Sequence, residues 1–137
     1  MPKYAVPLKM SRRISICDAP YHRKVAALRH CIDFAAPAGT PVLAARAGVV
    51  IARESRYART YPHARYARRA NYVVIRHADG ETTVYAHLAR RSVNVRVGQF
   101  VRRGKIIARS GQTGYATYPH LHFGVYDPQG RNIPACP

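Results

Sequence analysis

Two histidines, His120 and His122, stand one residue apart inside the apolar run YPHLHFGVY at 118–126. A strand serving only a core would carry Val, Ile or Phe there. Residues i and i+2 of a strand face the same side, so the two imidazoles stand side by side, about 7 Å apart by strand rise. Two neutral imidazoles on one face suit a metal ligand beside an acid–base group. The plainer alternative is one buried, hydrogen-bonded histidine with a chance neighbour.

The acids narrow the choice. Asp79 precedes Gly80 and Asp127 precedes Pro128, so both read as turn residues. Asp18 precedes Ala-Pro, and Glu54 and Glu81 flank strand-like runs. Only Asp33 lies in an apolar run, HCIDFAAP. A buried carboxylate needs a partner, because an unpaired one is costly. A metal ion would serve, and so would one of the many arginines. In VYAHL (84–88), His87 alternates with Tyr85 on one face of its strand. Beside an HxH strand and a buried Asp, it becomes a candidate general base.

Strands must carry these residues. Short β-type runs occupy 41–53, 71–77, 81–88, 92–97, 104–110 and 120–126. Turn sequences separate them: PAGTP, ADGE, GQTGY and DPQG. The DGET stretch between two runs predicts a tight hairpin. No long amphipathic helix is evident. The pattern predicts an all-β, antiparallel domain. The segment ESRYARTYPHARYARRA (54–70) interleaves Arg with Tyr. It reads as a solvated loop, although single-stranded nucleic acid is gripped by similar compositions.

Composition sets the outer bounds. A chain of 137 residues fits one domain with a real core. No stretch reads as a membrane span. The N-terminus MPKYAVPLKMSRRIS is basic but lacks the apolar segment of a secretory signal. Twenty-three Lys and Arg against six Asp and Glu give a net charge of +17. Such a surface attracts polyanions: nucleic acid, or an acidic cell-wall polymer. The three cysteines, Cys17, Cys31 and Cys136, include no CxxC and allow at most one internal disulfide. A Cys17–Cys136 bridge would tie the ends together, and three ordinary thiols is the plainer reading.

The runs CIDFAAPAGTPVLAARAGVV, NYVVIRHADGETTVYAHL, VGQFVRRGKIIARSGQTG and PHLHFGVY, taken in order, resemble the lysostaphin-type zinc metallopeptidases, the M23 or LytM-like family. The likeness covers about residues 22–127, within a single domain of 1–137 whose first 21 residues form an extension. It implies an antiparallel β-sheet or sandwich with a groove over the main sheet. It implies one Zn2+ per chain, peptide bonds of bacterial peptidoglycan as substrate, and a place of action outside the cytoplasm. Residue by residue, Asp33 and His122 match zinc ligands, and His87 and His120 match catalytic histidines.

The remaining ligand departs from the common H-x-x-x-D pattern, which would put histidine at 29. The chain has Arg29, with His30 one place late. Alternation in an extended strand puts Arg29, Cys31 and Asp33 on one face and turns His30 away. A branch of the family with its histidine farther upstream resembles YHRKVAALRHCIDF, which favours His22. A bulge near Cys31 would bring in His30 instead. His63 and His77 match no role and read as surface or structural residues. Tyr115 and Tyr118, in the loop before the HxH strand, read as groove contacts or as ordinary loop tyrosines.

Two other functions compete with a peptidase. One is a non-catalytic relative that regulates another wall hydrolase, for which Arg29 is the only support. The other is a basic polyanion-binding module, which gives no reason for Asp33, His87, His120 and His122.

Overall fold

The computed structural model describes residues 2–17, 26–61, 69–114, 116 and 118–135. Among the described residues ten strands form in chain order: β1 (Ser15–Cys17), β2 (Ile32–Ala35), β3 (Pro41–Leu43), β4 (Gly48–Glu54), β5 (Asn71–Arg76), β6 (Thr82–Leu88), β7 (Phe100–Val101), β8 (Ile106–Arg109), β9 (His120–Tyr126) and β10 (Asn132–Ile133). The main sheet runs β1-β2-β9-β6-β5-β4-β7, with β10 also on β9, and every pairing in it is antiparallel. Strands β3 and β8 form a separate antiparallel pair. The only helical turn among the described residues is a 3-10 turn at Ala26–Leu28.

Period-two alternation gives the sheet two unlike faces. Val73 pairs with Tyr85 and Tyr85 with Phe123, while Ile75 pairs with Thr83 and Thr83 with Val125. All are buried, and Val73, Ile75, Tyr85, Phe123 and Val125 join Val42, Val95 and Ile107 in one core. The β3–β8 pair therefore covers this face, and burial of so many branched side chains drives the layers together. Ala86, His122 and Asp33, in register across β6, β9 and β2, occupy the opposite face. The central strand β9 is buried from His120 to Val125, with Leu121, Phe123 and Val125 on the core face and His120 and His122 on the other.

Several local readings change. The run 41–53 divides into β3 and β4, which belong to different sheets. Residues 92–97 keep their alternation, with Val93 and Val95 buried, but form no strand. Their backbone is tied irregularly instead: Asn94 N–H donates to the Ile107 carbonyl at 3.0 Å, and Val93 N–H to the Ser55 hydroxyl at 3.3 Å. Residues 2–17, set apart as an extension, supply β1 and the buried side chains of Tyr4, Leu8 and Ile14. The predicted hairpin at 77–81 is present. His77 N–H donates to the Glu81 carbonyl at 2.8 Å, and Gly80 takes the left-handed φ of 87° that the turn needs.

Candidate metal centre and active site

Asp33 enters the site through β2. It pairs with His122 in register, and both residues are buried. The Asp33 Oδ1 atom lies 3.1 Å from His122 Nδ1, and Oδ2 lies 3.5 Å from His120 Nε2. The partners of this carboxylate therefore include two histidines, the company that a metal site and its acid–base neighbours would require.

His120 and His122 share the groove face, as their spacing predicts. His120 opens β9 beside Ala35, and its Nδ1 faces the Tyr118 carbonyl at 2.9 Å. A carbonyl only accepts, so Nδ1 carries a proton, and Nε2 faces the site beside Asp33 Oδ2. The Tyr118 ring lies against the same imidazole, with centroids 4.6 Å apart.

His87 arrives by a different route from the one its strand pattern predicts. In a regular strand it would share the core face with Tyr85. Instead the β5–β6 register slips: Asn71 pairs with Leu88 but Tyr72 with Ala86, leaving His87 as the extra residue of a bulge. Its φ is +64°, a conformation that costs an L-residue roughly 1–2 kcal/mol. The bulge turns the ring to the groove face, with centroids 4.5 Å from His120 and 5.9 Å from His122. Its Nδ1 donates to the Thr113 carbonyl at 2.6 Å, so its Nε2 is left as an acceptor.

Electrostatics divide the cluster. Burial, reinforced by repulsion from His120 and His122, pulls the His87 pKa down to about 3, so this ring is neutral at pH 7. Burial is also the largest influence on His122 and acts downward. The hydrogen bond to Asp33 and then the neighbouring Cys31 outweigh it and hold the pKa up at about 9. Without metal, the Asp33–His122 pair therefore retains a proton that a cation would displace.

A carboxylate oxygen and an imidazole nitrogen in contact are the donor types zinc takes. Among the described residues alone, no three or more His, Cys, Asp or Glu groups form a complete metal-binding set. Asp33 and His122 could supply two donors. His22, the third expected from the sequence, lies outside the described residues, as do His63, Tyr115 and Cys136.

The reason for turning His30 away does not hold in its original form. Strand β2 begins only at Ile32, and residues 29–30 form a turn after the 3-10 helix. Strand alternation therefore does not reach His30. Its side chain is exposed, and its backbone N–H donates to Asn132 Oδ1 at 2.6 Å. His77 is structural and buried. Its Nδ1 lies 2.8 Å from the Ala47 carbonyl, and its Nε2 lies 3.1 Å from the Thr83 hydroxyl, which also meets Tyr85 Oη at 2.9 Å. Cys31 is a free thiol, 3.6 Å from Tyr126 Oη. Sequence reasoning passed over Asn71 and Thr113, two small polar residues with no motif of their own, which bond the backbone around His87.

One antiparallel sheet thus gathers three histidines and an aspartate on a single face. The profile of Peptidase family M23 matches residues 28–134, and the chain belongs to that family. The peptidoglycan DD-endopeptidase ShyA of Vibrio cholerae is 44% identical over 91 residues, covering 66% of this chain and 18% of ShyA. A zinc-containing peptidase structure from Vibrio cholerae superposes with a TM-score of 0.69 at 31% identity, covering 96% of this chain and 39% of that one. The catalytic domain of lysostaphin from Staphylococcus simulans gives a TM-score of 0.56 at 34% identity, covering 72% of this chain and 67% of that one. The chain spans about a fifth of the length of the curated relatives it matches.

Proposed function

We propose that this chain is a zinc-dependent endopeptidase domain that hydrolyses peptide bonds in the stems or cross-links of bacterial peptidoglycan, acting outside the cytoplasm. The observation that carries the reading is the meeting of Asp33, His87, His120 and His122 on one face of an M23 sheet. ShyA, a named peptidoglycan DD-endopeptidase, supports the substrate class.

Asp33 and His122 would hold the zinc, with His22 as the third protein ligand. Bound zinc polarises a carbonyl and lowers the pKa of water toward neutrality. Nε2 of His87 or of His120 takes the proton from the attacking water: each ring turns Nδ1 to a backbone carbonyl, which directs Nε2 to the site, and with Asp33 engaged on the zinc the His120 Nε2 is left as an acceptor. The other ring, once protonated, donates to the oxyanion that develops on the scissile carbonyl. Burial of Asp33 and His120 excludes bulk water and strengthens these interactions.

The net charge of +17 suits adhesion to an anionic wall polymer, which salt would weaken. Nucleic acid would be held by the same charge, but it leaves the buried histidine cluster without a purpose. The deciding experiment is digestion of purified peptidoglycans of different cross-bridge types by the zinc-loaded protein, before and after chelation. Release of new amine termini that stops on chelation and returns with zinc supports the proposal. Intact peptidoglycan with every cross-bridge type refutes it and favours the non-catalytic regulator that Arg29 suggests.

A further inference from the structure

We propose that Asn71 and Thr113 together form a positioning device for His87, a role that rests on the peptidase reading above. The bulge at His87 breaks the β5–β6 ladder where a catalytic ring has to be aimed, and its left-handed backbone persists only if its surroundings hold it. Two buried polar side chains do so. The Leu88 carbonyl, just past the bulge, accepts from Thr113 Oγ1 at 2.8 Å and from Asn71 Nδ2 at 3.1 Å. The Asn71 backbone N–H, opposite Leu88 in register, donates to Thr113 Oγ1 at 3.0 Å. The Thr113 hydroxyl thus fills the gap that the extra residue opens between the strands.

Thr113 also reaches the ring. Its carbonyl receives the His87 Nδ1 proton at 2.6 Å, so one residue fixes both the backbone after His87 and the tautomer of its imidazole. Asn71 adds a second tie. Its amide exchanges two hydrogen bonds with the Tyr57 backbone: Tyr57 N–H to Oδ1 at 2.9 Å, and Nδ2 to the Tyr57 carbonyl at 2.8 Å. The segment after Tyr57 is laced to the loop of Thr113, with Tyr61 N–H donating to the Gly114 carbonyl at 2.7 Å and Thr60 Oγ1 to the Ala116 carbonyl at 2.7 Å. One asparagine and one threonine therefore join the 57–61 segment, the 111–116 loop and the catalytic bulge. Neither needs to touch substrate.

The test uses zinc-loaded protein carrying Thr113→Val, Thr113→Ser or Asn71→Asp. Asp at 71 keeps the acceptor for Tyr57 N–H but loses both amide donors. Three quantities are read: zinc stoichiometry, kcat and KM on peptidoglycan, and the His87 tautomer from long-range 15N–1H spectra. Thr113→Val and Asn71→Asp should keep zinc and KM, lower kcat by about 10- to 100-fold, and convert His87 from the Nδ1–H tautomer to a mixture. Thr113→Ser, which keeps the hydroxyl, should restore both. A purely structural role would lower the melting temperature yet leave kcat and the His87 spectrum unchanged below it, and that result overturns the proposal. Should either variant fail to fold, the other gives the same reading. If the wild-type protein cleaves no peptidoglycan, the peptidase reading fails on its own, while the His87 spectra still decide whether the device exists.

Discussion

Asp33 and His122 are register partners across β2 and β9, and their side chains meet at 3.1 Å on the groove face. The sheet itself sets this contact, because two strands in fixed register hold both donors without a flexible loop. Asp33→Ala and His122→Ala should each lose bound zinc and hydrolysis together. The affinity loss should exceed the roughly 10–100-fold that outer-shell changes cost. Metal content after gel filtration against a competing chelator measures it, and full zinc occupancy in either variant would exclude that residue as a ligand.

His87 and His120 are expected to behave differently. His87→Ala and His120→Ala should retain zinc and lose at least about a hundredfold in kcat, the range for a missing acid–base group. The informative comparison is metal content against turnover for the same preparations. If His120→Ala emptied the site while His122→Ala did not, the roles within the HxH pair would be reversed.

His22 and His30 compete for one coordination position. His30 is exposed in a turn, and its backbone is tied to Asn132. Replacing His22 should therefore release zinc to a chelator, whereas His30→Ala should keep it. Zinc retained by His22→Ala and lost by His30→Ala would assign the position to His30 and require the 29–31 turn to rearrange on metal binding.

His77, held by Ala47 and Thr83 and not by the histidine cluster, should give the fold a measurable pH dependence. Burial is the main reason its pKa is lowered from 6.5; the Ala47 carbonyl opposes the shift and Arg46 adds to it. Asp79 and Glu81 also face it and act upward. The unfolded chain thus takes up a proton near 6.5, while the folded chain does so only at lower pH. The stability from neutral His77 is complete above that value and is lost as pH falls toward the folded pKa. Denaturant unfolding between about pH 7.5 and pH 5 should show a steeper loss for wild type than for His77→Gln. Equal slopes would mean that His77 titrates alike in both states.

The sequence by itself determined β5, β6, β8 and β9 and the side-by-side placement of the HxH pair. HLHFGVY became β9 from end to end, because alternation and flanking turns leave an apolar seven-residue run no other stable form. That strand put His120 and His122 on one face, since a period of two is a property of any extended chain. Asp33 was legible as the one acid in an apolar run, because an unpaired buried carboxylate is too costly to be accidental. Tertiary structure decided the rest. The point where β2 begins, at Ile32, removed the alternation on which the His30 argument depended. The bulge at His87 reversed the side on which that ring lies, a reversal invisible in VYAHL. A strand's pattern assigns faces only while its register is regular, and one inserted residue inverts every assignment beyond it. Whether a residue is inserted depends on partners distant in sequence, here Asn71 across the ladder and Thr113 in the next loop, whose hydrogen bonds exist only after the chain has closed on itself.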